Sequence, residues 1–140
     1  MDTDIASDET GSILPLVVGY AALALAVILL CVNATSLFLA QKRVDALADA
    51  AALAASDGFD IVDTEGAVAL RVDPETARGL AEEVVAVSPV EADLAAIETI
   101  GGSTARATVV ATWEPFLLEL FVPDGVALVA VGTSRAALAG

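Results

Sequence analysis

Residues 13–40 read ILPLVVGYAALALAVILLCVNATSLFLA, and no charged residue lies between Glu9 and Lys42. A helix rises about 1.5 Å per residue, so about 20 residues cross a bilayer core about 30 Å thick. The run is long enough to cross with some tilt and still protrude. A helix buried in a soluble protein would need a large protein around it, and only 100 residues follow Ala40. The sequence therefore predicts a transmembrane helix, and the function depends on what this helix holds at the membrane.

The run does not have the pattern of a removable secretory signal. Such signals combine a basic start, an apolar stretch of about 7 to 15 residues and a small-x-small cleavage site. The first ten residues here, MDTDIASDET, carry four acids and no base, and the apolar stretch is much longer and ends in Phe38-Leu39-Ala40. We therefore predict a lasting anchor.

The composition limits what the rest of the chain can do. Its 140 residues leave room for one small domain of about 80 to 90 residues beyond the span. Twenty acidic residues against six basic ones give a net charge of −14, which disfavours binding to nucleic acid and to anionic lipid. The chain has no histidine, and its single cysteine, Cys31, lies in the apolar run. Because no nucleophile with its base, metal-ligand set or phosphate-binding glycine loop is recognisable, we expect no enzymatic activity, no cofactor and no small-molecule substrate.

The helix is predicted to continue beyond the membrane, because the sequence QKRVDALADAAALAASDG has neither proline nor glycine before Gly58. One side of this extension is apolar and includes Val44 and Leu47. Small residues repeat every four positions at Ala46, Ala50 and Ala54. Such a row lets another helix approach closely and is a candidate helix-packing interface. The alternative is an alanine-rich helix that packs on its own domain.

Three features near the N-terminus occur together. GSILPL opens the span at residues 11–16, Lys42-Arg43 closes it, and ADAAALAA follows at residues 48–55. In these features the chain resembles the TadE/TadG-like proteins of tight-adherence (Flp-type) pilus assembly, over about the first 57 residues. The resemblance implies a minor pilin-like, membrane-anchored subunit that works beside a secretion ATPase and the major pilin. Its soluble domain would lie outside the cytoplasmic membrane, and it would not be an enzyme.

The resemblance also implies a leader, residues 1–11, that a prepilin peptidase cuts between Gly11 and Ser12. Pilin-like substrates usually carry Glu at the fifth position after the cut, whereas this chain has Leu16, so the docking contact of that carboxylate is missing. The alternative is that Gly11-Ser12 simply precedes the helix, with Pro15 tolerated in its first turn.

The orientation of the span has two opposing indications. Lys42 and Arg43 are the basic residues near its ends, and the positive-inside rule would place the C-terminal side in the cytoplasm. The family resemblance implies the opposite orientation. We follow the resemblance and expect a cytoplasmic N-terminus and a soluble domain outside the membrane.

The soluble domain is predicted over residues 58–140, after a helix over residues 12–57. Its opening, residues 59–72, is acidic and irregular in pattern. Asp60, Asp63 and Glu65 lack the residue order of a calcium loop, so we expect no calcium site there.

A helix and three strands are predicted after this opening. Asp73-Pro74-Glu75 is a helix start, and the apolar spacing continues to about Val87. Three stretches have strand patterns: Leu94 to Ile100, Thr104 to Trp113 and Val126 to Thr133. Gly101-Gly102-Ser103 would form the first turn. We therefore predict an α+β fold, with a long N-terminal transmembrane helix followed by one amphipathic helix on a three-stranded antiparallel sheet.

Residues 115–121, PFLLELF, are the most apolar piece outside the span. Four of these residues have the spacing of one face of a short helix: Phe116, Leu117, Leu120 and Phe121. They are a candidate contact surface for a partner or for membrane headgroups. Alternatively, they cap the open end of a thin sheet.

Two classes of function remain. The first is a subunit that assembles Flp-type pili or the associated secretion system, with the membrane, pilin-like subunits and secretion-machine proteins as partners. The second is a single-pass, membrane-tethered binding or scaffold module at the cell surface.

Overall fold

The structure is a computed structural model that describes residues 10–64, 66–116 and 123–135. Its elements are α1 (Thr10–Asp57), β1 (Phe59–Thr64), β2 (Ala67–Val72), α2 (Pro74–Val87), β3 (Ala92–Ile100), β4 (Thr104–Trp113) and β5 (Val126–Arg135). The predicted α+β fold is confirmed, since a long apolar N-terminal helix is followed by a second helix and a three-stranded antiparallel sheet.

Helix α1 has 48 residues and contains Pro15 near its start. Because the helix begins at Thr10, Pro15 lies in its second turn and not in its first, and the helix lacks the hydrogen bond that an amide at this position would otherwise donate. Beyond Leu39 the helix changes character, and one side becomes buried against the rest of the chain. The buried residues of this part are Val44, Leu47, Ala48, Ala51, Ala52, Ala55 and Ser56. The predicted extension therefore exists, and its apolar side belongs to the hydrophobic core.

The three-stranded sheet has the order β3-β4-β5, and both pairs are antiparallel. Gly101 and Gly102 join β3 to β4 with φ angles of 61° and 77°, a left-handed conformation that favours glycine. The inner face of β4 presents Ala105, Ala107 and Val109, which are buried. Helix α1 packs on β4 and β5, while α2 packs on α1 and β3. Two helices therefore cover the sheet. The part of α1 that continues beyond the apolar run covers more of the sheet than α2 does.

Small residues allow α1 and β5 to approach closely. An added Cβ at Gly132 would lie 2.6 Å from the backbone nitrogen of Asp49 and closer still to the Ala48 carbonyl. Both atoms belong to the helix backbone, which cannot rotate away as a side chain can. Glycine is therefore required where the strand crosses the helix.

Helix α2 begins and ends where the sequence predicts. The Asp73 side chain accepts a hydrogen bond from the backbone nitrogen of Thr76 at 2.9 Å. This hydrogen bond is the main reason that the pKa of Asp73 lies below its ordinary value. The buried face carries Ala77, Ala81 and Val85. On the exposed face, the Arg78 guanidinium donates to Glu82 at 2.8 Å.

The prediction of an irregular segment over residues 59–72 is wrong. β1 and β2 form an antiparallel hairpin in which Phe59 pairs with Val72, and Gly66 in the turn has a φ angle of 85°. The hairpin joins the rest of the domain through Val72, whose backbone nitrogen donates to the Gly102 carbonyl at 2.9 Å. The clustered acids made this segment look irregular, although Gly66 separates two strands of six residues each.

The strands run along α1. Trp113 bonds to Ser36, the Val129 carbonyl accepts from Gln41, and Ser134 bonds to Ser56. Residues further along β5 therefore contact residues further along the helix.

We call the part of the chain from Gly58 to Arg135, which packs on the second half of α1, the head domain. Its junction end comprises Trp113, whose indole bonds to Ser36, Val126, which pairs with Trp113, and Phe116, three residues further along the chain. Its far end comprises the β3–β4 turn and Ser134, which bonds to Ser56. Ser36 and Ser56 are separated by about 30 Å along the helix, from a rise of about 1.5 Å per residue.

Candidate functional site: the long helix and its junction with the head domain

A long stretch in the first half of α1 carries only exposed side chains. Every residue from Ile13 to Val32 is exposed, and Asn33 is the first buried one. These 20 residues span about 30 Å, the thickness of a bilayer hydrocarbon core. Within the described part of the chain, α1 is the one helix long and apolar enough to cross a membrane. Its length and composition suggest single-pass membrane anchoring.

Asn33 is polar, yet only 7% of its surface is exposed. Its side-chain nitrogen donates to the Leu29 carbonyl one turn earlier, at 2.8 Å. An amide satisfied within its own helix is tolerated next to lipid. A cleft of about 450 Å³ lies beside it. The described residues that line this cleft are Ala26, Leu29, Leu30, Asn33, Ala34, Leu37 and Trp113.

Two side-chain hydrogen bonds fasten the junction end to α1. The Trp113 indole nitrogen donates to Ser36 Oγ at 3.2 Å. The Gln41 amide nitrogen donates to the Val129 carbonyl at 3.1 Å. The head domain therefore packs on α1 directly after the exposed apolar segment, without a linker.

The first charges after the span form a small cluster at this junction. Asp45 accepts from the Gln41 amide at 2.8 Å and from Lys42 Nζ at 3.1 Å. These hydrogen bonds, that of Gln41 first, lower the pKa of the Asp45 carboxyl from its ordinary value. Lys42 Nζ also lies 5.8 Å from the centre of the Phe38 ring. The cluster marks the position along α1 where the apolar surface gives way to a polar one.

The row of small residues faces away from the head domain. Ala46 and Ala50 are exposed, and Ala54 is half-buried. The packing of α1 on its own domain uses the neighbouring positions, such as Ala48 and Ala51. The row is thus available to another helix, and its role as an interface stays a prediction.

The predicted leader junction lies at the very start of α1. The helix begins at Thr10, so Gly11 and Ser12 belong to its first turn, and residues 1–9 lie outside the described residues. Cleavage between Gly11 and Ser12 stays a prediction.

The apolar PFLLELF segment is described only at its start. Pro115 is buried, and Phe116 is 91% exposed. Leu117, Leu120 and Phe121 lie outside the described residues. The contact of Trp113 with Ser36 was not predicted from the sequence, where Trp113 counted only as the last residue of a strand. A signal existed, because the sole tryptophan of the chain stands two residues before the most apolar segment of the soluble part.

Acidic side chains do not gather into a metal site in the part of the chain that the structure describes. No group of three or more His, Cys, Asp or Glu residues there is placed to hold an ion. The site is therefore an arrangement of surfaces along α1: an apolar segment, a polar junction and a row of small residues.

Comparison with known proteins gives a match to a family model. No curated protein and no solved structure matches this chain. Residues 11–69 match the Tad family model, which describes Flp pilus-assembly TadE/G-like proteins. The match covers nearly all of α1, the whole of β1 and the start of β2. It supports involvement in Flp pilus assembly. The resemblance seen in the sequence is thereby confirmed, since residues 11–69 of this chain are similar to the TadE/G-like proteins of Flp pilus assembly.

Proposed function

We propose that this protein is a membrane-anchored, minor pilin-like subunit in the assembly of Flp-type pili or of the associated secretion system. Its head domain lies outside the cytoplasmic membrane, and it acts by contact and not as an enzyme. The proposal rests on the two roles that helix α1 has within the matched region. One end of this helix exposes 20 apolar residues, and the other end packs against the head domain in the hydrophobic core.

The continuity of α1 favours an assembly subunit over a tethered scaffold module. A flexible tether is typically rich in glycine, serine or proline and lets its domain swing freely. Here the helix runs unbroken to Asp57, and the head domain is bonded to it from Ser36 to Ser56. The head therefore has one orientation relative to the helix, as a repeated assembly requires of its subunits.

The outward row of Ala46 and Ala50 gives such an assembly a surface for helix packing. It lies beyond the exposed apolar segment, on a side of α1 that the head domain leaves open. Neighbouring pilin-like subunits or secretion-machine proteins are the partners that this surface would meet.

Membrane fractionation and cysteine labelling test the anchoring and its orientation. The full chain should stay in the membrane pellet after alkaline carbonate extraction. In a Cys31→Ala background, Ser103→Cys in the β3–β4 turn should react with a membrane-impermeant maleimide in spheroplasts. The matched control, Ser12→Cys, which stays in the chain whether or not the leader is cut, should react only after lysis. Labelling of Ser12→Cys alone would reverse the orientation, and release into the supernatant would contradict the anchor.

Deletion of the gene tests the assembly role. Cells should lose surface Flp-type pili and regain them when the full chain is supplied from a plasmid. Normal piliation without the protein would favour the tethered scaffold module. Neighbouring genes for a secretion ATPase and a prepilin peptidase would add to the case for assembly.

A further inference from the structure

We propose that the junction end of the head domain binds phospholipid headgroups, so that Trp113 seats the domain on the bilayer that α1 crosses. This inference rests on the proposed membrane anchoring. It goes further, because a span alone would be compatible with a domain that stands clear of the membrane on a helical stalk.

The first observation is the place along α1 at which Trp113 contacts the helix. Its indole bonds to Ser36, four residues or about 6 Å beyond Val32, which is the last of the 20 consecutive exposed residues that begin at Ile13. When hydrocarbon covers the segment from Ile13 to Val32, the indole lies at the boundary between acyl chains and headgroups. Tryptophan is enriched at that boundary, because it combines a large apolar ring with one hydrogen-bond donor.

Two exposed apolar residues lie near Trp113, one in sequence and one as its partner in the sheet. Phe116 follows Trp113 by three residues and is 91% exposed, and the preceding Pro115 is buried and fixes where the chain leaves the sheet. Val126 begins β5 at the same end and is exposed as well. A phenyl ring held in water is unfavourable, whereas the same ring at the headgroup boundary removes apolar area from water.

A groove between α1 and Trp113 has the polarity of a phospholipid. Its volume is about 560 Å³, and its described lining runs from Val32 past Leu39 to Arg43, with Trp113 and Glu114 on the other side. Val32 and Arg43 are about 16 Å apart along the helix, so the groove leads from the acyl region into the headgroup layer. Arg43 forms no ion pair with any residue that the structure describes. Its guanidinium therefore remains available to a phosphate.

Charge favours a zwitterionic headgroup over an anionic one. Glu114 lines the same groove as Arg43, and the chain carries a net charge of −14. An ammonium group next to the phosphate would meet Glu114, while a purely anionic surface would be repelled.

The sole tryptophan of the chain allows a direct test without any substitution. The full-length protein is placed in phosphatidylcholine nanodiscs whose acyl chains carry bromine either near the headgroup or near the chain end. Trp113 emission should be blue-shifted and at least twofold more strongly quenched by the shallow bromine than by the deep one. Aqueous iodide should quench it weakly. Emission that responds to iodide and ignores both brominated lipids would overturn the proposal, as would emission shielded from all three by a protein partner.

A tryptophan at the far end provides the matched control. Ile100, at the end of β3 next to the β3–β4 turn, is 42% exposed. It lies about 30 Å from Trp113, measured along the direction of α1. In a Trp113→Phe background, Ile100→Trp should be quenched by iodide and not by brominated lipid. Equal lipid quenching at both positions would overturn a specific junction-end contact.

The same preparation separates the two proposals. If the protein fails to elute with the lipid, both the membrane anchoring and the headgroup contact are overturned. If it elutes with the lipid and Trp113 ignores the brominated chains, the anchoring stands and only the headgroup contact is overturned.

Discussion

Replacing Gly132 by alanine is expected to destabilise the head domain more than its single added methyl group would suggest. The new Cβ would lie 2.6 Å from the Asp49 nitrogen and closer to the Ala48 carbonyl. Ordinary contacts of this kind begin near about 3.4 Å, so β5 must retreat from α1 by about 0.8 Å to clear the nitrogen and further to clear the carbonyl. Neither neighbour can move alone, because both belong to the backbone of the helix.

The size of the effect depends on the gap that this retreat opens between β5 and α1. A gap of about 0.5 to 1 Å loses about a quarter to a half of the dispersion energy of each contact across it. The contacts at risk include those of Leu128 and Ala130, which are buried against α1. Overpacking costs about 1 to 3 kcal/mol, and a clash with backbone places Gly132→Ala at about 3 kcal/mol. For a domain of about 60 to 100 residues, this corresponds to a Tm lower by about 12 to 24 °C.

Thermal unfolding of the full-length protein in detergent measures this effect. Near-ultraviolet circular dichroism and Trp113 fluorescence report on the head domain, while the apolar part of α1 stays helical in the micelle. The matched control is Gly79→Ala on the exposed face of α2, where an added Cβ meets nothing within 4 Å. That change should stabilise the domain by about 0.5 to 1 kcal/mol. A Gly132→Ala protein whose Tm lies within about 2 °C of the wild type would refute the reasoning.

Three further predictions concern the interface, the helix cap and the leader. Ala50→Leu should reduce co-purification with a helical partner in detergent several-fold, while Ala86→Leu, on an exposed position of α2, should not; equal yields would favour an unused surface. Asp73→Ala should lower the Tm at pH 7, because the ionised carboxylate accepts the Thr76 amide hydrogen. The pKa of Asp73 is lowered by folding, so its contribution is complete above the ordinary aspartate pKa. The Tm difference should therefore shrink as the pH falls through the lowered pKa, and a constant difference would contradict this assignment. Mass spectrometry of the mature protein should find Ser12 as the first residue if the leader is cut, and an intact N-terminus would exclude processing.

The elements that local chemistry defines could be predicted from the sequence. Asp73 followed by Pro74 determines where α2 begins, and the Gly101-Gly102 pair supplies the positive φ angles of the β3–β4 turn. The apolar run of α1 needed only its length and its lack of charge. In each case a signal lies within a few residues of the feature that it specifies.

The features that depend on distant contacts could not be predicted in the same way. The β1–β2 hairpin is fixed by its register and by the bond from Val72 to Gly102, and its acids hid the strand pattern. The packing of α1 on the sheet depends on Gly132 meeting Ala48, more than 80 positions earlier in the chain. The contact of Trp113 with Ser36 likewise joins two elements that no local pattern connects. Whether Ala46 and Ala50 meet another helix depends on a partner that the chain itself does not contain.

The unbroken course of α1 has a mechanical consequence. The helix that exposes the apolar segment is the same helix on which β4 and β5 rest, and Ser36 and Ser56 hold the head domain to it at both ends. A force applied to the head domain has no slack segment to extend first. Under the proposed membrane anchoring, a pull along the helix must therefore either open the buried core or draw 20 apolar residues out of the lipid.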